Sequence, residues 1–147
     1  MENLWSTAFE NAKDKISPLQ ILKDQASQLG SMTKNLVRAE VRMKRDPSSS
    51  KETSLIFDFN ILASLFNNYR YRLFTAGIDI SAHYPLVLFL PFKLKAELLG
   101  SNEEKQGNDI VVNSEIELLD WLRRIFSSEF TLNIISSLVQ ITERGDS

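Results

Sequence analysis

Between Tyr69 and Glu97 the chain reads YRYRLFTAGIDISAHYPLVLFLPFKLKAE, its longest aromatic and β-branched run, broken only by Gly77, Pro85 and Pro91. Residues of this kind suit a pleated, half-buried surface. The stretch is therefore read as the middle of an antiparallel sheet, and the rest of the chain must supply neighbouring strands and covering helices. Tyr69, Tyr71, Leu73 and Thr75 alternate with Arg70, Arg72 and Phe74, which predicts a strand with two distinct faces. Gly77 to Tyr84 holds the lone histidine and reads as a turn or short irregular crossing. Leu86 to Leu90 is apolar on both faces, so it is expected centrally, with its second face covered by something other than water. Pro91 cannot donate to a ladder and marks a bulge or the strand end. Beyond it, Phe92, Leu94 and Ala96 against Lys93, Lys95 and Glu97 resume the alternation and predict more strand.

Two further strands precede this run. Val37, Ala39, Val41 and Met43 alternate with Arg38, Glu40, Arg42 and Lys44, the cleanest period of two in the chain. Leu55, Phe57, Phe59 and Ile61 then point inward with Asp58 and Asn60 outward. Arg45 to Glu52 is a connector rich in serine and charge, and Leu62 to Asn68 reads either as strand or as one helical turn. Gly100 to Asp109 is a polar loop leading into a short strand at Ile110 to Val112.

Helical periodicity frames the strands. Leu4, Trp5, Ala8, Phe9, Ala12 and Ile16 predict a first helix from Asn3, stopped by Pro18. Ser17 as N-cap and Pro18 at the first position open a second helix over 18–30, with Gly30 as its C-cap. Ser114 and Glu117 form a capping box ahead of a stripe of Ile116, Leu119, Leu122 and Phe126, widened by Leu118, Trp121 and Ile125. Asp120 and Arg124 are spaced for an i, i+4 ion pair. A last helix is expected from Thr131 to about Glu143, with residues 143–147 frayed. The expected fold is one α+β domain over 1–147. Its mainly antiparallel sheet of four to five strands is flanked by N-terminal and C-terminal helix pairs, in the order αα-ββββ(β)-αα.

Chemistry is scarce in this sequence. With no cysteine among 147 residues there is no disulfide, thiolate nucleophile or cysteine metal site, and a cytoplasmic setting is expected. No GxSxG elbow, HExxH pair, GxGxxG turn or Walker sequence occurs. His83 reads as a turn residue whose nearest acid in sequence is Asp79, and Asp58 has no evident carboxylate partner. Neither a catalytic residue nor a cofactor or metal is expected. No leader and no membrane span is read, because the longest apolar run is interrupted by prolines. Net charge is −2, so bulk charge disfavours nucleic acid.

Two surfaces remain as candidates. Arg38, Arg42 and Lys44 on the first strand, with Arg70 and Arg72 on the third, form a basic strip if the strands are neighbours, interrupted by Glu40. Tyr69 and Tyr71 would then be core residues, or stacking platforms beside those arginines. Trp5 and Phe9, one turn apart, form an aromatic pair suited either to an interface or to the core. The expected function is a non-catalytic protein-interaction or oligomeric accessory protein, a homodimer or a partner of another protein. The alternatives are a nucleic-acid-associated protein using the basic strip and a small enzyme or ligand-binding protein.

Overall fold

A computed structural model describes residues 2–14, 16–44, 54–63, 69–100 and 109–144. Its centre is a five-stranded sheet in the order β1-β2-β3-β4-β5, every pairing antiparallel. The strands are β1 (Arg38–Lys44), β2 (Ser54–Ala63), β3 (Tyr69–Asp79), β4 (Leu86–Phe89) and β5 (Ile110–Val112). The helices are α1 (Pro18–Met32), α2 (Phe92–Leu99), α3 (Glu115–Phe126) and α4 (Glu129–Arg144), and a 3-10 segment covers Thr7–Asp14. The α+β class and antiparallel sheet stand as expected. The helix pairs do not: one α-helix precedes the sheet, three follow β4, and α2 is inserted before β5.

One face of the sheet carries the core. Phe57, Phe59 and Ile61 of β2, Phe74, Ala76 and Ile78 of β3, Leu86 and Leu88 of β4, and Ile110 and Val112 of β5 are all buried there. Ile21, Leu22 and Ala26 of α1, Leu94 of α2, and Leu118, Leu122 and Ile125 of α3 close over them. Half-buried Phe130, Ile135, Leu138 and Val139 bring α4 into the same cluster. The Phe59 ring stacks on Phe74 at 5.0 Å and meets Phe126 of α3 at 5.2 Å, which fixes that helix against the middle of the sheet.

Capping chemistry sets several helix ends. The Ser17 hydroxyl accepts from the Gln20 amide at 3.1 Å, with Pro18 following, as the sequence predicts. Helix α1 runs past Gly30 to Met32 and is capped by Thr33, whose amide reaches the Leu29 and Gly30 carbonyls. Gly30 is buried inside the last turn, and a Cβ there would meet the Asn35 side chain at 3.0 Å, so packing rather than capping uses this glycine. Ser114 accepts from the Glu117 amide, while the Glu117 carboxylate takes the amide of Asn113 rather than that of the cap residue.

Four local readings need correction. The first predicted helix is a 3-10 segment with a non-helical Asn11; Phe9 within it and Leu4, Trp5 and Ile16 on its flanks are all exposed. Without a surface to pack on, so short an amphipathic stretch gains too little to hold a regular α-helix. Residues 92–97 are helix rather than strand: Pro91 ends β4, its carbonyl accepts the Lys95 amide at 2.9 Å, and the Lys-Leu-Lys-Ala-Glu-Leu run has strong helix propensity. Gly77 lies within β3, not in a turn. Finally, α4 begins at Glu129 and continues through Glu143 to Arg144, so only 145–147 of the expected tail lie outside the described residues. The connector at 45–52, residues 64–68 and the loop at 101–108 lie outside them too, although Leu62 and Ala63 continue β2 as strand.

Candidate interaction surface on the open sheet face

The decisive local event is a bulge in β3. Phe59 pairs with Phe74 but Asn60 pairs with Arg72, so Leu73 is the extra residue. Simple alternation would place Leu73 and Phe74 on opposite faces. The bulge lets both be buried, at 0% and 1% exposure, and flips the parity of everything after it. Thr75 therefore shares a face with Arg70 and Arg72, and the predicted grouping with Tyr69, Tyr71 and Leu73 is corrected.

The register then maps the second face in rows across the strands. Lys44, Ile56, Gly77, Val87 and Val111 form one row; Arg42, Asp58, Thr75 and Phe89 the next. Glu40, Asn60 and Arg72 follow, then Arg38, Leu62 and Arg70. All five residues of the predicted basic strip thus lie on one face, β1 and β3 being separated only by β2. Tyr69 and Tyr71 pair with Ala63 and Ile61 and so lie on the opposite, core-side face, which removes them as stacking platforms for the arginines.

No described element covers this face. Phe89 is 40% and Val111 53% exposed, while their strand neighbours Leu88 and Val112 are at 0%. The expectation that the second face of Leu86 to Leu90 is covered is therefore overturned: all four helices pack on the other side. The Phe89 ring lies over Gly77, where a Cβ would sit 3.5 Å from a ring carbon. Its neighbours Ile56, Val87 and Val111 complete an apolar patch at the β4–β5 end.

The β1–β3 end is polar. A shallow depression of about 340 Å³ is lined by Arg42, Met43, Lys44, Asp58, Asn60, Arg70 and Arg72. On the same face the Glu40 carboxylate accepts from the Arg70 Nε at 2.7 Å and the Asn60 amide nitrogen at 3.1 Å. Burial works against ionisation of Glu40, but the hydrogen bonds from Asn60 and Arg70 and the charges of Arg70 and Arg42 outweigh it, holding the carboxyl below its ordinary value. Asp58 accepts from the Thr75 hydroxyl at 2.8 Å. Arg42, Lys44 and Arg72 have no ion pair among the described residues. The face is thus amphipathic, with cations at one end and exposed apolar side chains at the other.

The remaining predicted residues lie elsewhere. Trp5 and Phe9 pack edge to face at 5.7 Å and are 76% and 58% exposed, so they form a surface pair outside the core. His83 is exposed, and Asp79 Oδ1 accepts from the Ser81 amide and hydroxyl. No group of three or more histidine or carboxylate residues spaced for a metal occurs among the described residues. No described helix is long and apolar enough to cross a membrane. Helix α3 departs from its predicted stripe: Leu118, Leu122 and Ile125 are buried, whereas Ile116 is 81% and Leu119 37% exposed. Asp120 lies 3.9 Å from Arg123, and Arg124 instead stacks over Trp121 at 4.2 Å and donates to the Leu98 carbonyl at 2.9 Å. Sequence reading also missed Glu97, which accepts from the Glu129 and Phe130 amides at 2.7 and 3.0 Å and so caps α4 from α2. That cap spans more than thirty residues and leaves no local spacing to read. No family model matches this chain, and no curated protein or solved structure matches it either.

Proposed function

We propose that this chain is a non-catalytic protein-interaction module, an accessory or self-associating protein whose contact surface is the open sheet face. The observation that supports this reading is the apolar patch of exposed Phe89 and Val111 and half-buried Val87, beside Arg42, Lys44 and Arg72, which make no ion pair among the described residues. Exposed apolar ground rimmed by charge is characteristic of surfaces that bind another protein. A cytoplasmic setting fits the cysteine-free composition.

The basic strip also invites a nucleic-acid reading, and the cations do share a face. Against it, Glu40 and Asp58 sit within the strip, and the tyrosines that would stack on bases lie across the sheet. Phosphate tracking favours an unbroken run of positive charge. The separating experiment is sedimentation of the purified chain at low and high salt, alone and with a generic duplex and single strand. The reading expects protein association that is lost on Phe89→Ser and ignores both nucleic acids. A monomer that binds either strand at low salt, and releases it when Arg70 and Arg72 become alanine, would replace it with the nucleic-acid reading.

A further inference from the structure

The open sheet face has a counterpart on the same molecule. The buried side of α3 is Leu118, Leu122 and Ile125, and its other side carries Ile116 and Leu119, 81% and 37% exposed and three residues apart. Around them Glu115, Glu117 and Asp120 are exposed as well. Three exposed carboxylates stand against exposed Arg123 and half-buried Arg124, the latter held by Trp121 and the Leu98 carbonyl, so this helix face has an excess of negative charge where the sheet face is basic. Ile116, 81% exposed, contributes little to the packing of the described residues. An isoleucine this open, in the first turn of a capped helix, is apolar surface with little use among them.

We infer that the open sheet face is occupied by the exposed face of α3 from a second copy of this chain. The inference rests on the reading of that sheet face as a protein contact surface. A helix laid on a bare sheet is the ordinary way to complete the second layer of such a fold. The spacings agree. Side chains three apart on a helix lie about 5–6 Å apart, and adjacent strands are about 4.8 Å apart. Ile116 and Leu119 therefore match the interval from Val111 to the Val87–Phe89 strand. Asp120, one turn beyond Ile116, then lies toward β3 and Arg72. The chain's own α3 cannot make this contact, because Leu118, Leu122 and Ile125 anchor it on the other side of the sheet. The two patches lie on opposite sides of the monomer, so the contact runs head to tail, closing only as a ring and otherwise propagating.

The test is a complementation between two exposed-site variants of the full chain, Ile116→Lys and Arg72→Glu, followed by sedimentation velocity. Unchanged circular dichroism melts show that each variant is folded, with Leu119→Lys and Phe89→Ser as substitutes should either fail. The wild type is expected to gain mass with concentration. Each variant alone is expected to associate at least about ten-fold more weakly, a change of roughly 1.4 kcal/mol. An equimolar mixture should recover a complex, because the first variant keeps an intact sheet face and the second an intact α3. A wild type that stays monomeric, or a mixture that does not reassemble, overturns the inference. If Phe89→Ser abolishes association while Ile116→Lys leaves it intact, α3 is excluded and the sheet face survives as the interface. If wild-type association survives Phe89→Ser as well, the sheet-face reading itself fails.

Discussion

Leu88 and Phe89 are adjacent in β4 and face opposite ways, so a pair of substitutions separates the two faces of the sheet. Leu88 is at 0% exposure, held between Ala76 of β3 and Ile110 of β5 by the ladders on both sides. Truncation to alanine removes three carbons, roughly 2.4 kcal/mol of transfer free energy at about 0.8 kcal/mol each. The flanking strands are fixed in register and cannot close the cavity, so the total for Leu88→Ala should reach about 3–4 kcal/mol. Phe89 loses only the part of its ring that covers Gly77, and Phe89→Ser should cost about 1 kcal/mol in the monomer. Urea melts followed by circular dichroism, at concentrations too low for association, measure both. A Leu88→Ala loss below about 1 kcal/mol, or a Phe89→Ser loss equal to it, would show that the covered and open faces have been assigned the wrong way round.

Glu97→Ala should destabilise by about 1 kcal/mol, because it removes both acceptors from the first amides of α4, and Glu97→Gln should recover part of that loss. The carboxyl of Glu40 titrates below its ordinary 4.5 in the folded chain. Its contribution is therefore present above the unfolded value and is lost as pH falls through the folded one; Glu40→Gln should flatten that acid-side slope in pH-dependent melts. With both partners partly exposed, the effect at neutral pH should stay within about 1 kcal/mol.

Much of the sheet was legible because period-two alternation is a local signal. Val37 to Lys44 and Leu55 to Ile61 carry it directly, and the register through β2 brings the cations of β1 and β3 to one face. Alternation failed where the backbone broke parity. Nothing local marks Leu73 as a bulge, since Leu73 and Phe74 are both apolar and either could face the core. The run at Phe92 to Glu97 is compatible with both periods, and the choice was made by Pro91 and by helix-forming residues. An apolar second face on Leu86 to Leu90 was correctly seen, but apolar character states only that water is unfavourable there. Whether the cover comes from the same chain or another lies outside any local pattern. For the same reason, Ile116 reads as core from its spacing and is surface in the fold, because α3 needs only one of its two apolar stripes to pack.

The chain has no cysteine, so a single introduced thiol reports on one surface alone. Val111→Cys places it on the open sheet face and Lys93→Cys on exposed α2, both at solvent-accessible positions. The measurement is the rate of thiol labelling by a maleimide as protein concentration rises. If the sheet face binds α3 of a second copy, labelling of Val111→Cys slows with concentration while Lys93→Cys reacts at a constant rate. Equal rates at every concentration, with both thiols remaining open to the reagent, would contradict the account.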